Sequence, residues 1–253
     1  MADWLKILAS HIHSQRQRYP GKPMMVVFDI DGTILDLSYS IEYCFKEYDR
    51  THQTQFFKNL NRLELNIHEN YPQQLLQQMN IPYDKHEEML GWYWQILWSE
   101  ECLKNVLKPY PGVLEVIRWL QSQEAVTVGL NTGRPERMRQ ITLQTLNSLG
   151  KPHCVEFFSH LLFMNPNGWH DRVSDGKIEG IRYFKILGYQ IVAMLDNEPV
   201  NLRAIADMDP HKEILLMHAD TLYESDTLLL PANAVRGQRY DIKKLQSSSV
   251  PAF

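Results

Sequence analysis

Apolar positions in this chain recur with two different periods, and the switch between them marks out its parts. Residues 2–16 place Leu5, Leu8 and Ile12 at helical spacing beside Trp4, which predicts a short amphipathic helix packed on the domain. Met24, Met25, Val26, Val27 and Phe28 then run together without a polar break. That is the pattern of a strand buried on both faces, and an Asp-Gly turn ends it. From about 38 to 108 only helical runs appear, interrupted at Pro72 and at the Asn80-Ile-Pro82 turn. The last of them starts near Asp84, carries Glu87 and Glu88 in its first turn, and bears Trp92, Tyr93, Trp94 and Trp98. Those aromatics read as helix-packing core rather than as a substrate pocket, because aromatics dominate buried area.

After Pro109 the chain settles into alternation. Pro111-Gly112 turns into a helix with Val113, Ile117 and Leu120 on one face, followed by a strand over 125–130 and a helix ending near Gly150. A strand over 161–164, a helix over 174–187 closed by Gly188, a strand over 191–195, a short helix after Pro199 and a strand over 213–217 complete the series. Strands alternating with helices predict an α/β fold with a doubly wound parallel sheet and one all-helical insertion. The boundaries expected are 1–37 and 109–253 for the sheet domain and 38–108 for the insertion. Beyond about Asp220 no element is read, and 247–253 has the composition of a frayed tail.

Composition narrows the functional classes. At 253 residues and 44% hydrophobic the chain buries a full core, so disorder as a whole is excluded. A net charge of −4 without any Lys/Arg block speaks against nucleic acid and polybasic membrane surfaces as partners, and favours small ligands. Cys44, Cys102 and Cys154 are odd in number and widely spaced, so neither a disulfide framework nor a zinc site is expected, and a reducing compartment is. No apolar run approaches the roughly 18 residues of a membrane span, and no signal peptide is read at the N-terminus. The expected location is cytoplasmic.

The chemistry concentrates at predicted strand ends. In Met24-Met-Val-Val-Phe-Asp-Ile-Asp-Gly-Thr33, Asp29 and Asp31 crown the first strand. Because successive strand side chains face opposite ways, the two acids share a direction only if the backbone turns between them, which leaves a carboxylate and a carbonyl for a cation. The run is equally a polar strand end capping a turn. In Asn131-Thr-Gly-Arg-Pro135, Thr132 and the Gly133 amide are expected where a helix begins, either to bind a phosphoryl oxygen or as a helix cap. Arg134 reads as a clamp for a phosphate or a substrate carboxylate, or as a solvated helix-start residue. Lys177 follows Ser174-Asp-Gly at the opening of a helix, and Asp196 ends its strand in Leu195-Asp-Asn-Glu-Pro199, at the sheet edge where open α/β folds bind ligands.

A D-x-D-G-T motif, a strand-ending Thr, a Lys and a strand-ending acidic motif, in that order, resemble the haloacid dehalogenase superfamily over 24–36 and 109–217. The resemblance implies a Rossmann-like core whose first strand is central, with the second and third strands on one side and the fourth and fifth on the other. It implies that 38–108 is a helical cap, that Asp29 is the nucleophile and Asp31 the general acid and base, and that Thr132, Gly133 and Lys177 bind the phosphoryl group. It also implies Mg²⁺ held by Asp29, the Asp31 carbonyl and Asp196. An acid at position 31 is what family members acting on phosphate esters carry. The last motif, Asp196-Asn-Glu-Pro-Val-Asn201, lacks the second Asp common in the family, so Asn197, Glu198 or Asn201 is left to substitute for it.

The expected function is a Mg²⁺-dependent phosphatase of a small phosphorylated metabolite working through phospho-Asp29. The alternatives are a phosphotransferase or mutase of the same family and a catalytically silent domain that binds a partner. Position alone assigns no role to His52, His68, His86, His153, His160 or His170, nor to the loop Gly168-Trp-His-Asp-Arg172.

Overall fold

The computed structural model describes residues 3–166, 168–170, 172–221 and 227–246; the expected tail over 247–253 lies outside them. The chain opens with α1 (Trp4–Arg18) and β1 (Met24–Phe28), then passes through β2 (Leu35–Asp36), α2 (Ser38–His52), α3 (Pro72–Gln78) and α4 (His86–Leu97). After a π-helical turn at Cys102–Val106 it continues with β3 (Lys108–Pro109), α5 (Val113–Gln121), β4 (Val126–Pro135) and α6 (Arg139–Gly150). The remaining elements are β5 (Leu162–Asn165), α7 (Val173–Ile186), β6 (Gln190–Asp196), α8 (Pro199–Met208), β7 (Leu215–Ala219), β8 (Val235–Gly237) and α9 (Lys243–Gln246). The chain divides into two compact units, one from the described residues of Met1–Ile34, Pro109–Thr221 and Ser225–Phe253, the other from Leu35–Lys108.

The first unit is built on a six-stranded sheet in the order β5-β4-β1-β6-β7-β8, with all the registered pairs parallel. Its first five predicted strands take the order that the family resemblance implies, and every residue of β1 is buried, as an unbroken apolar run in a central parallel strand should be. Helix α1 packs on this unit: Trp4, Leu5, Leu8 and Ile12 are buried, and the Trp4 indole donates to the Arg239 carbonyl at 2.9 Å.

Besides the short α9, three features depart from the sequence reading. β8 is a sixth strand where none was read, three residues long and of mixed burial, too short for alternation to show. β2 and β3 form a separate two-stranded sheet. Pro72 does not interrupt a helix but opens α3, where its missing N–H is no loss.

The second unit is helical apart from its short β segments. α2, α3 and α4 enclose Ile41, Phe45, Tyr48, Phe57, Leu76, Met89 and Tyr93. The predicted aromatic helix does supply core: Tyr93 is buried and stacks on Phe45 at 5.2 Å, and the Trp92 indole donates to the Cys44 carbonyl at 3.0 Å. All three cysteines are unbridged. Beyond α2 the chain is fastened by Asp49, whose carboxylate accepts from Thr54 Oγ1 (2.6 Å), Phe56 N (2.9 Å) and Phe57 N (2.6 Å). Asp49→Ala strands two backbone donors, one of them buried, and is expected to lower unfolding stability by about 3 kcal/mol in urea titration. A loss below about 0.5 kcal/mol would show that this turn holds itself.

Candidate active site

β1 and β6 lie side by side in parallel, and the ladder is carried one residue past β1 by Asp29 N donating to Leu195 O at 2.8 Å. Asp29 and Asp196 thereby stand at the carboxyl tips of adjacent strands. Between them comes Lys177, in the second turn of α7: its ammonium donates to Asp29 Oδ1, lies 3.0 Å from Asp196 Oδ2, and donates to the Asn131 carbonyl at 2.6 Å. All three side chains are buried.

Charge in this cluster does not balance. Burial raises the Asp29 carboxyl well above the ordinary carboxylate range; the Lys177 ammonium opposes this, while Asp196 and Asp31 add to it. For Lys177 burial acts against the charge, but Asp196 and Asp29 overcome it and hold the ammonium above the usual lysine value. With both acids ionised, one ammonium faces two carboxylates and the site is one positive charge short, which is what drives Asp29 toward its neutral form. That is the electrostatic condition a divalent cation relieves.

Among the described residues no three His, Cys, Asp or Glu side chains converge into a metal cage. The donors that fit a cation are the two hard carboxylates Asp29 and Asp196, to which the family resemblance adds the Asp31 main-chain carbonyl. Mg²⁺, which keeps several waters and needs few protein ligands, matches such a set. Asp196 is braced for it: Asn201 Nδ2 lies 3.1 and 3.2 Å from its two oxygens, and Glu198 N donates to Oδ1 at 2.8 Å. Of the three residues left open as substitutes for the missing second Asp, Asn201 thus has its side-chain amide on the Asp196 carboxylate. The Asn197 amide instead lies over the turn after β1. Gly32 has φ of +77°, and a Cβ there would come within 2.7 Å of Asn197 Cγ, so only glycine serves. His218 Nε2 lies 3.0 Å from the Asn197 carbonyl, which can only accept, so that nitrogen carries the proton.

Asp31 faces elsewhere. Its two carboxylate oxygens accept from Arg134 Nε and Nη2, both at 2.7 Å, in a bidentate pair. Arg134 is 1% exposed and its Nη1 donates to Thr142 Oγ1 on α6 at 3.1 Å. The solvated helix-start reading of Arg134 is therefore wrong; it clamps a carboxylate, and that carboxylate belongs to the protein.

The expectation for Thr132 and Gly133 needs correcting as well. They do not begin a helix: β4 runs on to Pro135, where it pairs with Asn165 beyond an irregularity, and α6 starts only at Arg139. The helical turn that leads into α6 begins at Glu136, so the helix that follows in the chain does not start at Thr132 or Gly133. Thr132 is buried and its Oγ1 accepts from Arg134 N at 3.1 Å, a local turn bond that helix capping mimics in sequence. Gly133 abuts the start of α7 instead, where a Cβ would approach Val173 Cγ1 to 3.0 Å.

Sequence reasoning gave Asn131 no role. Its carbonyl receives Lys177 and its Nδ2 donates to the Lys177 carbonyl at 2.8 Å, so it holds the lysine at both ends. A signal existed in the sequence: Gly180 lies directly against the Asn131 amide, and a Cβ at Gly176 would meet Asn165 Oδ1 at 3.2 Å. Two glycines four apart on one helix face, flanking a lysine, announce close approach to something.

The family model of haloacid dehalogenase-like hydrolases matches residues 23–163, and the chain belongs to that family. The match includes Asp29, Asp31, Asn131, Thr132 and Arg134; Lys177 and Asp196 follow it. Similar solved structures include a candidate phosphatase from Clostridium difficile, with 13% identity, 88% of this chain and 98% of that one covered and a TM-score of 0.59. A candidate β-phosphoglucomutase from Thermotoga maritima shares 15% identity over 90% and 100% of the two chains with a TM-score of 0.54. A subfamily IA hydrolase of the superfamily from Geobacter sulfurreducens shares 16% over 89% and 97%, with a TM-score of 0.53. At such identities the likeness establishes the fold. Curated protein sequences give no match. No helix among the described residues is long and apolar enough to cross a membrane.

Proposed function

We propose that this hydrolase is a Mg²⁺-dependent phosphatase that cleaves a small phosphorylated metabolite through an aspartyl-phosphate on Asp29. The observation that carries the reading is the meeting of Asp29, Lys177 and Asp196 at the tips of β1 and β6.

Asp29 is the carboxylate with the Lys177 ammonium already against it, so a phosphate arriving there meets a cation beside the nucleophile. A bound divalent cation would neutralise the charge of the phosphate and of Asp29 as they approach. In the first step an Asp29 oxygen bonds to phosphorus, the ester P–O bond breaks, and Asp31 gives the leaving oxygen a proton. In the second, water bonds to phosphorus, Asp31 takes its proton, and the bond from phosphorus to Asp29 breaks to restore the carboxylate. Lys177 holds the phosphoryl oxygens in both. Thr132 and Gly133 belong to the reading as phosphate-binding residues by family resemblance, acting through a hydroxyl and an amide rather than a helix end. The helical unit Leu35–Lys108, inserted in the chain between β1 and β4, takes the role of cap, and the three unbridged cysteines suit a reducing cytoplasm.

The test is a phosphomonoester panel assayed with Mg²⁺ and again after chelation. Turnover is expected to fall to background with chelator and return when Mg²⁺ is added back, with inorganic phosphate as the product. A phosphorylated acceptor in place of inorganic phosphate would make the protein a transferase. Full activity in chelator would remove the metal from the reading.

A further inference from the structure

The group assigned to proton transfer is the one acid of the motif that the structure holds away from Lys177. Both oxygens of Asp31 are engaged by the guanidinium fork of Arg134 at 2.7 Å, and Asp31 retains 14% exposure while Arg134 has 1%. An ionised carboxylate gripped by two parallel N–H groups has no proton to give, and both its oxygens are already engaged with a cation that disfavours protonation. Arg134 is itself fixed: its backbone N is tied to Thr132 Oγ1 at 3.1 Å, Pro135 follows it in β4, and its Nη1 reaches Thr142 on α6 at 3.1 Å. The moving partner is therefore Asp31, on the turn that Gly32 makes, and not the buried arginine.

We infer that Arg134 is a positioning residue for the acid–base step: it holds Asp31 at the site in one fixed orientation, from which Asp31 releases one arm of the fork in each half-reaction. The inference rests on the assignment of Asp31 as acid and base. It gives Arg134 a role in turnover that neither its burial nor a purely structural ion pair would require. It also separates Arg134 from substrate binding, since the fork that would grip a phosphate or carboxylate of the substrate is occupied by Asp31.

The experiment is a four-cornered comparison of the full chain with Mg²⁺: the parent, Asp31→Asn, Arg134→Gln and the double variant, with Arg134→Lys as a fifth protein. p-Nitrophenyl phosphate and an alkyl phosphate serve as substrates. Arg134→Gln is expected to lower kcat about 10-fold, a fraction of the roughly 10²–10⁴ that a positioned acid–base group supplies. KM and inhibition by inorganic phosphate should be unchanged, and the phosphoenzyme should live correspondingly longer in a quench experiment. In the Asp31→Asn background the same substitution should change nothing further, because a residue that acts through Asp31 has no effect once Asp31 is disarmed. Arg134→Lys keeps the charge without the fork and should recover only part of kcat. The double variant removes both charges together, so it remains informative if Arg134→Gln alone folds poorly.

Losses that multiply in the double variant would overturn the inference, as would a rise in KM and in the phosphate inhibition constant at constant kcat, which marks an arginine that binds substrate. Parental kinetics in Arg134→Gln with only a lower melting temperature would reduce the pair to a structural one. Parental turnover in Asp31→Asn would instead defeat the acid–base assignment, and this inference with it; the other three outcomes leave that assignment standing.

Discussion

Asp29→Asn is expected to abolish turnover, by about four orders of magnitude or more, since removing the nucleophile of a catalytic unit costs up to about 10⁶. The amide is nearly isosteric with the carboxylate and still offers an oxygen to Lys177, so the site should keep its shape. It loses the negative charge that the cluster holds in excess, with Asp196 and Lys177 left as a balanced pair. The melting temperature should therefore be equal to the parent's or higher. This combination, dead but no less stable, is what distinguishes a lost nucleophile from a damaged fold. Mass analysis of the acid-quenched protein should find a phosphoryl adduct on the parent peptide containing residue 29 and none on the variant. Activity near the parental level in Asp29→Asn would take that residue out of the mechanism.

Lys177→Met should have the second-largest effect, and the opposite signature in stability. The substitution preserves length but leaves Asp29 and Asp196 buried at adjacent strand tips with no ammonium between them. Removing one partner of a buried ion pair costs about 3–5 kcal/mol, because the survivors stay out of water without compensation. Loss of the donor to the phosphoryl group should lower kcat/KM by about 10²–10³ as well. A divalent cation binding the two carboxylates would return part of the lost stability, so the melting temperature of this variant should rise with Mg²⁺ more than the parent's does. A variant that melts with the parent and retains its activity would show that the ammonium is incidental to the cluster.

The two variants differ in sign because they move the same charge imbalance in opposite directions. That imbalance was not legible in the sequence. Asp29 is separated from Lys177 and Asp196 by most of the chain, and their order along it says which elements carry them but not that one ammonium meets both carboxylates. The central place of β1 and the parallel pairing were legible for a different reason, since an unbroken apolar run such as Met24–Phe28 is buried on both faces and strands alternating with helices pair in parallel, whereas the order of the strands came from the family resemblance. Strand β8 was not, because three residues of mixed burial carry no period.

Thr132 shows where local reading fails. A hydroxyl followed by glycine, arginine and proline after a strand has the look of a helix start, and competes for the same backbone bonds as a cap does. Here the strand persisted because its neighbour β5 supplied a partner at Asn165, a long-range pairing that overrides local preference. Asn131 and Arg134 were hidden in the same five residues. Each acquires its function from what lies opposite, Lys177 in one case and Asp31 in the other.

The residues by themselves determined the fold class and which carboxylates follow β1 and close β6, because periodicity, turn chemistry and strand direction are local properties of a chain. Only the tertiary structure decided that Asp29 and Asp31 face different cations, Lys177 for the first and Arg134 for the second. Side-chain direction at the end of a strand is set by the turn beyond it and by the elements packed around it, and those contacts join parts of the chain more than a hundred residues apart.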